Sequence, residues 1–396
     1  MGNITQFWKE LKEQKIDKGD YNFALFVFPL FPLDNPFSYT NAERLKVEVR
    51  FTGARFLSNA TFSSMWLENA AFFNGVIFLD HATFSHVEFL KYADFSDTQF
   101  LGGATFACIF YEEANFRHCS FSSSHPTSFN PYFPSKEYTM FRGKTSFCEI
   151  NFPRTFTFRH VDLSHVSFSG SNLEELTFLG CSFCKRKGRN ELFDERKVFS
   201  SSGGLLPPAY FEVLEDMYRQ LKYNFENRRD WRNASEFFVS QMEIRRLRLK
   251  IEANDLKIYK ELWSEAKAIP PPTRTFFAKL HNSIPKLYTL KWWNRALERF
   301  FLAGFDVISR YGEQPDRALF WIVTLLLMGT IGIFASQPFA DWNDAFLTTV
   351  RAVTFQQENN FDSIHRSTQW IITLLRIGSV IVLPLFFLAL RRRFKR

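Results

Sequence analysis

A large apolar residue, most often phenylalanine, recurs every five or six positions through the first half of this chain, with a small or β-branched residue two places before it. The stretch ATFSHVEFLKYADF (82–95) shows the unit: Phe84, Phe89 and Phe95 follow Ala82, Val87 and Ala93. No single regular element accommodates this spacing. On an α-helix, five or six steps sweep roughly 140° and 240°, which scatters the rings around the surface. On a flat strand, two rings five apart lie on opposite faces. The period therefore belongs to a larger repeating structure. Of the 396 residues 50 are Phe, a usage that a repeat explains and an ordinary core does not.

The large residues fall at 56, 62, 67, 72, 78, 84, 89, 95, 100 and 106, then more loosely at 111, 116 and 121. After the insertion SSSHPTSFNPYFPSKEYTM they resume at 147, 152, 158, 163, 168, 173, 178 and 183. A chain that turns a corner at every unit coils, stacking successive turns at the β spacing of about 4.8 Å. The large residue and the small one two before it then point inward, and a sixth residue is absorbed as a bulge at a corner. With HVDLSHVSFSGSNLEELTFLGCSF, FLSNATF and FLDHATFSHVEF, the chain resembles the pentapeptide-repeat proteins, in the Phe-rich subclass with mixed five- and six-residue units. The resemblance covers roughly residues 51–184 and implies a right-handed quadrilateral β-helix of about five or six coils. Residues 1–50 read as an N-terminal cap, because an uncovered coil presents a strand edge.

The family includes DNA-mimicking gyrase binders with strongly acidic walls. Residues 51–184 carry 8 Lys/Arg against 12 Asp/Glu, a thin acidic excess for such a mimic. The net charge of +8 comes from elsewhere: 25 basic against 16 acidic residues over 185–310, and five basic residues in the last six. All five cysteines lie in the Phe-rich half, where Cys119 and Cys181 take the small position before a ring and read as buried filler. The lone Cys181-x-x-Cys184 pair has no second pair to make a zinc site. His86 and His165 take outward positions, and Ser85, His86 and Lys91 mark a recognition wall for a protein trigger or inhibitor.

The charged, Ser/Gly/Pro-punctuated segment 185–207 reads as a linker, and 208–315 as an α-helical connector. Apolar residues at Phe211, Leu214, Leu221 and Phe225, and again from Trp231 to Met242, give two antiparallel helices resembling a tetratricopeptide-like hairpin. The stretch LKWWNRALERFFLAGFDVISRYG puts Trp293, Leu297, Phe300, Gly304 and Val307 on one stripe. Trp292 and Trp293 beside basic residues suit a helix lying at a bilayer surface.

Residues 316–396 read as a transmembrane hairpin with spans at 318–336 and 370–390. Basic residues flank its outer ends, Arg310 and Arg317 before and Arg391, Arg392 and Arg393 after, which places both termini in the cytoplasm of a multi-pass cell inner-membrane protein. The missing basic-then-apolar layout at the N-terminus argues against a signal peptide. Between the spans, WNDAFLTTVRAVTF reads as a short helix, and FLTTVRAVTF resembles the pore-helix region of two-transmembrane channel subunits. The segment after it, TFQQENNFD, lacks the glycines of a potassium filter. Pore-lining candidates are then Gln356, Gln357, Glu358, Asn359, Asn360 and Asp362, with Thr373, Arg376 and Ser379 on the second span; a ring of Glu358 or Asp362 would favour cations. One hairpin encloses nothing, so a cyclic homo-oligomer is expected, a tetramer by analogy with two-span channels.

Two functions remain open: a bacterial membrane pore governed by the cytoplasmic coil, by analogy a toxic or anti-phage depolarising effector, or a membrane-anchored scaffold without a pore. No phosphate loop, nucleophile elbow or metal-ligand spacing is present, so no catalytic residue, metal or cofactor is assigned. The scattered basic residues suit a lipid bilayer better than a nucleic acid.

Overall fold

The computed structural model describes residues 2–30, 37–131, 140–186, 188–196, 208–266, 294–336, 341–356 and 366–394. Two compact units result, Met1–Gln241 and Met242–Arg396.

The first unit is a β-solenoid of about 6 turns over residues 44–179. Its strands form three parallel sheets of five, seven and six strands, to each of which the early and middle turns give one strand. Arg55 pairs with Ile77 and Ile77 with Gln99, so a turn takes 22 residues there. Four large apolar side chains per turn point inward, all of them rings where Phe73, Phe78, Phe84 and Phe89 lie buried. The inward ring is Phe73, not Phe72 as the repeat reading placed it. With Phe73 the spacing from 51 to 106 runs five, six, five, six without exception, and only this alternation keeps every ring over its counterpart one turn away. Likewise Phe110 rather than Tyr111 is buried, with Cys108 in the small position before it. The register slips between Ala107 and Ile109. That turn is one residue short, and Gln99 pairs with Ser120 rather than with residue 121.

The eight-residue strands Ala60–Leu67 and Ala82–Phe89 bend in the middle. Simple alternation would put their second halves inside out. An extra residue in left-handed conformation, Ser64 (φ 55°) or His86 (φ 56°), restores the inward phase at the bend. The rings stack in ladders: Phe62 on Phe84 at 5.0 Å, Phe84 on Phe106 at 4.9 Å, Phe73 on Phe95 and Phe95 on Phe116 at 4.8 Å. Neighbouring ladders meet edge to face, as Phe84 does Phe95 at 89°. Both arrangements suit the ring quadrupole, each pair adding about 0.5–1.5 kcal/mol beyond its area.

Helices close both ends. Helix α1 (Gly2–Gln14) lays Trp8 on Phe28 and donates the Trp8 indole N–H to the Leu30 carbonyl at 2.9 Å. At the far end, helix α2 (Pro208–Asn227) stacks Phe225 on Phe178 at 5.5 Å. Asn224 Nδ2 donates to the Leu173 and Leu176 carbonyls, both at 2.7 Å, and Gln220 accepts from the Leu173 N–H at 2.8 Å. The last turn thus finds on α2 the partners a further strand would have supplied. The described part of the segment read as a linker is ordered: a hairpin, Cys184–Arg186 with Arg189–Glu191, leads to a buried bidentate pair of Arg189 with Glu195 at 2.9 and 2.5 Å. A three-residue turn, with Arg229 left-handed and Asp230 accepting from the Asn233 N–H, starts helix α3 (Trp231–Ala266).

Within the second unit, helix α4 spans 294–309, α5 Pro315–Ser336, α6 Trp342–Val353 and α7 Arg366–Phe394. Helices α5 and α7 are long and apolar enough to cross a membrane, and start three and four residues before the expected spans.

Candidate functional site

The short helix α6 is the feature that separates this hairpin from two plain spans. Its Ala345, Thr349 and Ala352 recur at helical spacing and are buried against α5 and α7 with Ile333, Ile372 and Leu375. Small residues set the close approach. A Cβ on Gly329 would stand 2.7 Å from the Thr349 methyl and 2.8 Å from Leu375. Beside it, the Thr330 and Thr349 hydroxyls lie 3.4 Å apart.

Contacts along α6 fix its slope. Near its start Trp342 meets Phe334 at 5.5 Å, and seven residues later Thr349 meets Thr330. At its end, Arg376 Nη2 donates to the Gln356 carbonyl at 3.3 Å. From Arg366 to Arg376, α7 rises about 15 Å. The α6 end therefore lies well below the Ser336–Thr368 hydroxyl contact (2.9 Å) that joins the ends of the long helices. Helix α6 stops in a Schellman motif: Gln356 N–H bonds to Arg351 O at 2.9 Å and Phe355 N–H to Ala352 O at 3.3 Å. The left-handed residue is Phe355 (φ 59°), where glycine is usual, at a cost of about 1–2 kcal/mol.

Of the candidates read from the sequence, Gln356 is exposed at this end and Arg376 is half-buried against it. Thr373 is exposed, whereas Ser379 is fully buried and donates to the Arg376 carbonyl at 2.8 Å, so the three do not form one exposed stripe. Gln357, Glu358, Asn359, Asn360 and Asp362 lie outside the described residues, as do Trp292 and Trp293. Arg391 is exposed; Arg392 and Arg393 belong to α7.

The segment expected to hold an interfacial helix contains α4. Three ion pairs bind α4 to α3: Arg245 with Glu298 at 2.5 Å, Arg246 with Asp306 at 3.1 Å and Arg295 with Glu252 at 3.2 Å. They draw charge to one side and leave Phe300 73% and Phe301 66% exposed. Three successive left-handed residues, Arg310, Tyr311 and Gly312, turn the chain into α5. Trp321 then donates its indole N–H to the Val307 carbonyl at 3.3 Å. Burial among these helices pushes the Tyr311 phenol up to about 12.

The sequence reading missed the Gly329–Thr330–Thr349 seam. Its signal is the pairing of small residues in an apolar run with Ala345, Thr349 and Ala352 at i, i+4 and i+7. Comparison with protein-family models, with curated proteins and with solved structures gave no match.

Proposed function

We propose that the protein is a pore-forming membrane protein whose cytoplasmic solenoid governs a two-span hairpin with a re-entrant helix. The observation that carries the reading is the slope of α6, which runs down between α5 and α7 until its end meets Arg376. A tether between two anchors has no use for a buried third helix. An ionisable residue at that depth is costly, and in spanning proteins faces a partner or a water-filled cavity. The flanking basic residues support cytoplasmic termini, with α6 on the outer side. Phe300 and Phe301 on α4 rest at the inner surface, beside the entry into α5. For the solenoid we retain the right-handed quadrilateral form and the pentapeptide-repeat family, supported by four large buried apolar residues per turn and by the five/six alternation from 51 to 106.

The reading predicts that expression dissipates membrane potential and arrests growth. Replacing residues 315–396 by an unrelated two-helix anchor tests it: depolarisation lost while membrane recovery is kept supports the pore, and depolarisation retained overturns it. A second reading, an anchored scaffold, draws on Leu57, Leu79 and Leu101, which stack outward on successive turns and stay 41–50% exposed. Polar substitutions there would abolish capture of a protein partner and leave membrane potential unchanged.

A further inference from the structure

Helix α6 carries one acid and one base, Asp344 in its first turn and Arg351 in its last. Both side chains are exposed, and among the described residues neither has an ion pair or a side-chain hydrogen bond. The helix dipole explains their order, since a carboxylate suits the N-terminal turn and a guanidinium the C-terminal one. Its partial charge of about −0.5 does not neutralise a guanidinium carried down into a bilayer, where such a group finds a partner or lines a cavity.

Seven residues separate the two, so they share a face of the helix within about 20°, roughly 10.5 Å apart along its axis. Among the described residues the face stays exposed, because Ala345, Thr349 and Ala352, which pack against α5 and α7, lie about 120° round α6 from it. Exposed Leu347 and half-buried Thr348 lie beside the pair. Between the Trp342–Phe334 and Thr349–Thr330 contacts, α6 descends only four residues of α5, about 6 Å. Helical side chains lean toward the N-terminus, which carries the Arg351 guanidinium up toward the level of Asp344. With about 10.5 Å between them along the axis and only about 6 Å of descent, the two charges stand roughly 8–9 Å apart sideways, so the anionic end of one copy's exposed face is complementary to the cationic end of the next.

We infer that Asp344 of one copy pairs with Arg351 of the next, and that these pairs close a ring of α6 helices in a cyclic homo-oligomer. The inference rests on the membrane-pore reading and adds which residues join the copies. Each subunit gives one charge to either neighbour, a head-to-tail contact that closes by rotation.

The test is disulfide trapping of the full-length protein reconstituted in phosphatidylcholine/phosphatidylglycerol liposomes. Within one protomer, residues 344 and 351 stand beyond the roughly 7 Å limit for a disulfide. A bond between them therefore joins two copies. Asp344→Cys with Arg351→Cys is expected to give, under mild oxidation, a ladder running past the dimer, with neither single variant doing so. Asp344→Arg and Arg351→Asp alone are each expected to weaken association roughly tenfold on native gels, and the double swap to restore it. A product that stops at the dimer, an equal ladder from a single variant, or a swap that fails to restore association overturns the ring; the last is the outcome if Arg351 serves a lipid phosphate. Ion flux without the ladder sinks the ring and leaves the pore, and a ladder without flux does the reverse.

Discussion

The solenoid and the hairpin solve opposite problems with the same residues. In the solenoid the rings point inward: Phe84 is fully buried, while Thr83 and Ser85 on either side of it lie toward the surface. In the hairpin, Phe320, Leu327, Met328 and Ile331 point outward, and the interior sets Gly329, Thr330, Ala345, Thr349 and Ser379 among Ile333, Ile372 and Leu375. Only 22% of each apolar window in α5 and α7 is buried, which is the reverse of a core helix in a soluble protein. Burying apolar surface drives folding in water. Among lipid tails that gain disappears, and close approach of small residues holds helices together instead.

The largest effect separating the two regions comes from an outward charge. Leu327→Arg, near the middle of α5, is expected to cost about 2.5–3.5 kcal/mol of insertion and to move the protein out of the carbonate-resistant membrane fraction. Thr83→Arg, also outward but on the solenoid, is expected to change neither membrane recovery nor the unfolding midpoint measurably. Ring removal reverses that order. Phe84→Ala deletes a ring from the middle of a ladder and is expected to lower stability by about 3–5 kcal/mol in urea, followed by circular dichroism of the β signal. Phe320→Ala, on the outward face of α5, should leave that transition unmoved.

Glycine sharpens the contrast next. Gly329→Ala would press a methyl into Thr349 and Leu375, and is expected to cost about 1–3 kcal/mol and to loosen α6, read as faster proteolysis of the segment that follows it. Gly304→Ala meets nothing within 4 Å and is expected to stabilise α4 by about 0.5–1 kcal/mol.

The smallest effect concerns the thiols. Burial pushes the Cys181 thiol up to about 11, and those of Cys108 and Cys119 up as well. A folded-state value above the ordinary 9.0 means that the unfolded chain gives up its proton first. The stability tied to Cys181 is then complete below about pH 9 and falls as pH rises toward 11. Alkylation of Cys108 and Cys119 by iodoacetamide at pH 8 is expected only after denaturation.

The solenoid was legible because its period belongs to the chain itself. Each ring stacks on a ring one turn away, so geometry returns to sequence as five and six. The two slips, at Phe72 and Tyr111, fell where AAFF and CIFY each offer two rings in succession, and local pattern cannot choose the register that its neighbours impose. The long helices were legible from length and apolarity. Their packing was not, because a seam of small residues leaves no period in a run that is apolar throughout. The cap by Asn224 and Gln220 was equally silent, since both look like ordinary surface residues of an amphipathic helix until the last coil is set against them.

Whether the hairpin is a pore is decided by ion flux through liposomes bearing the purified full-length protein. Potassium or chloride flux above that of empty vesicles is expected, reduced at least tenfold by Gly329→Leu, which drives α6 from its seam. Flux equal to empty vesicles from protein that resists carbonate extraction would contradict a pore.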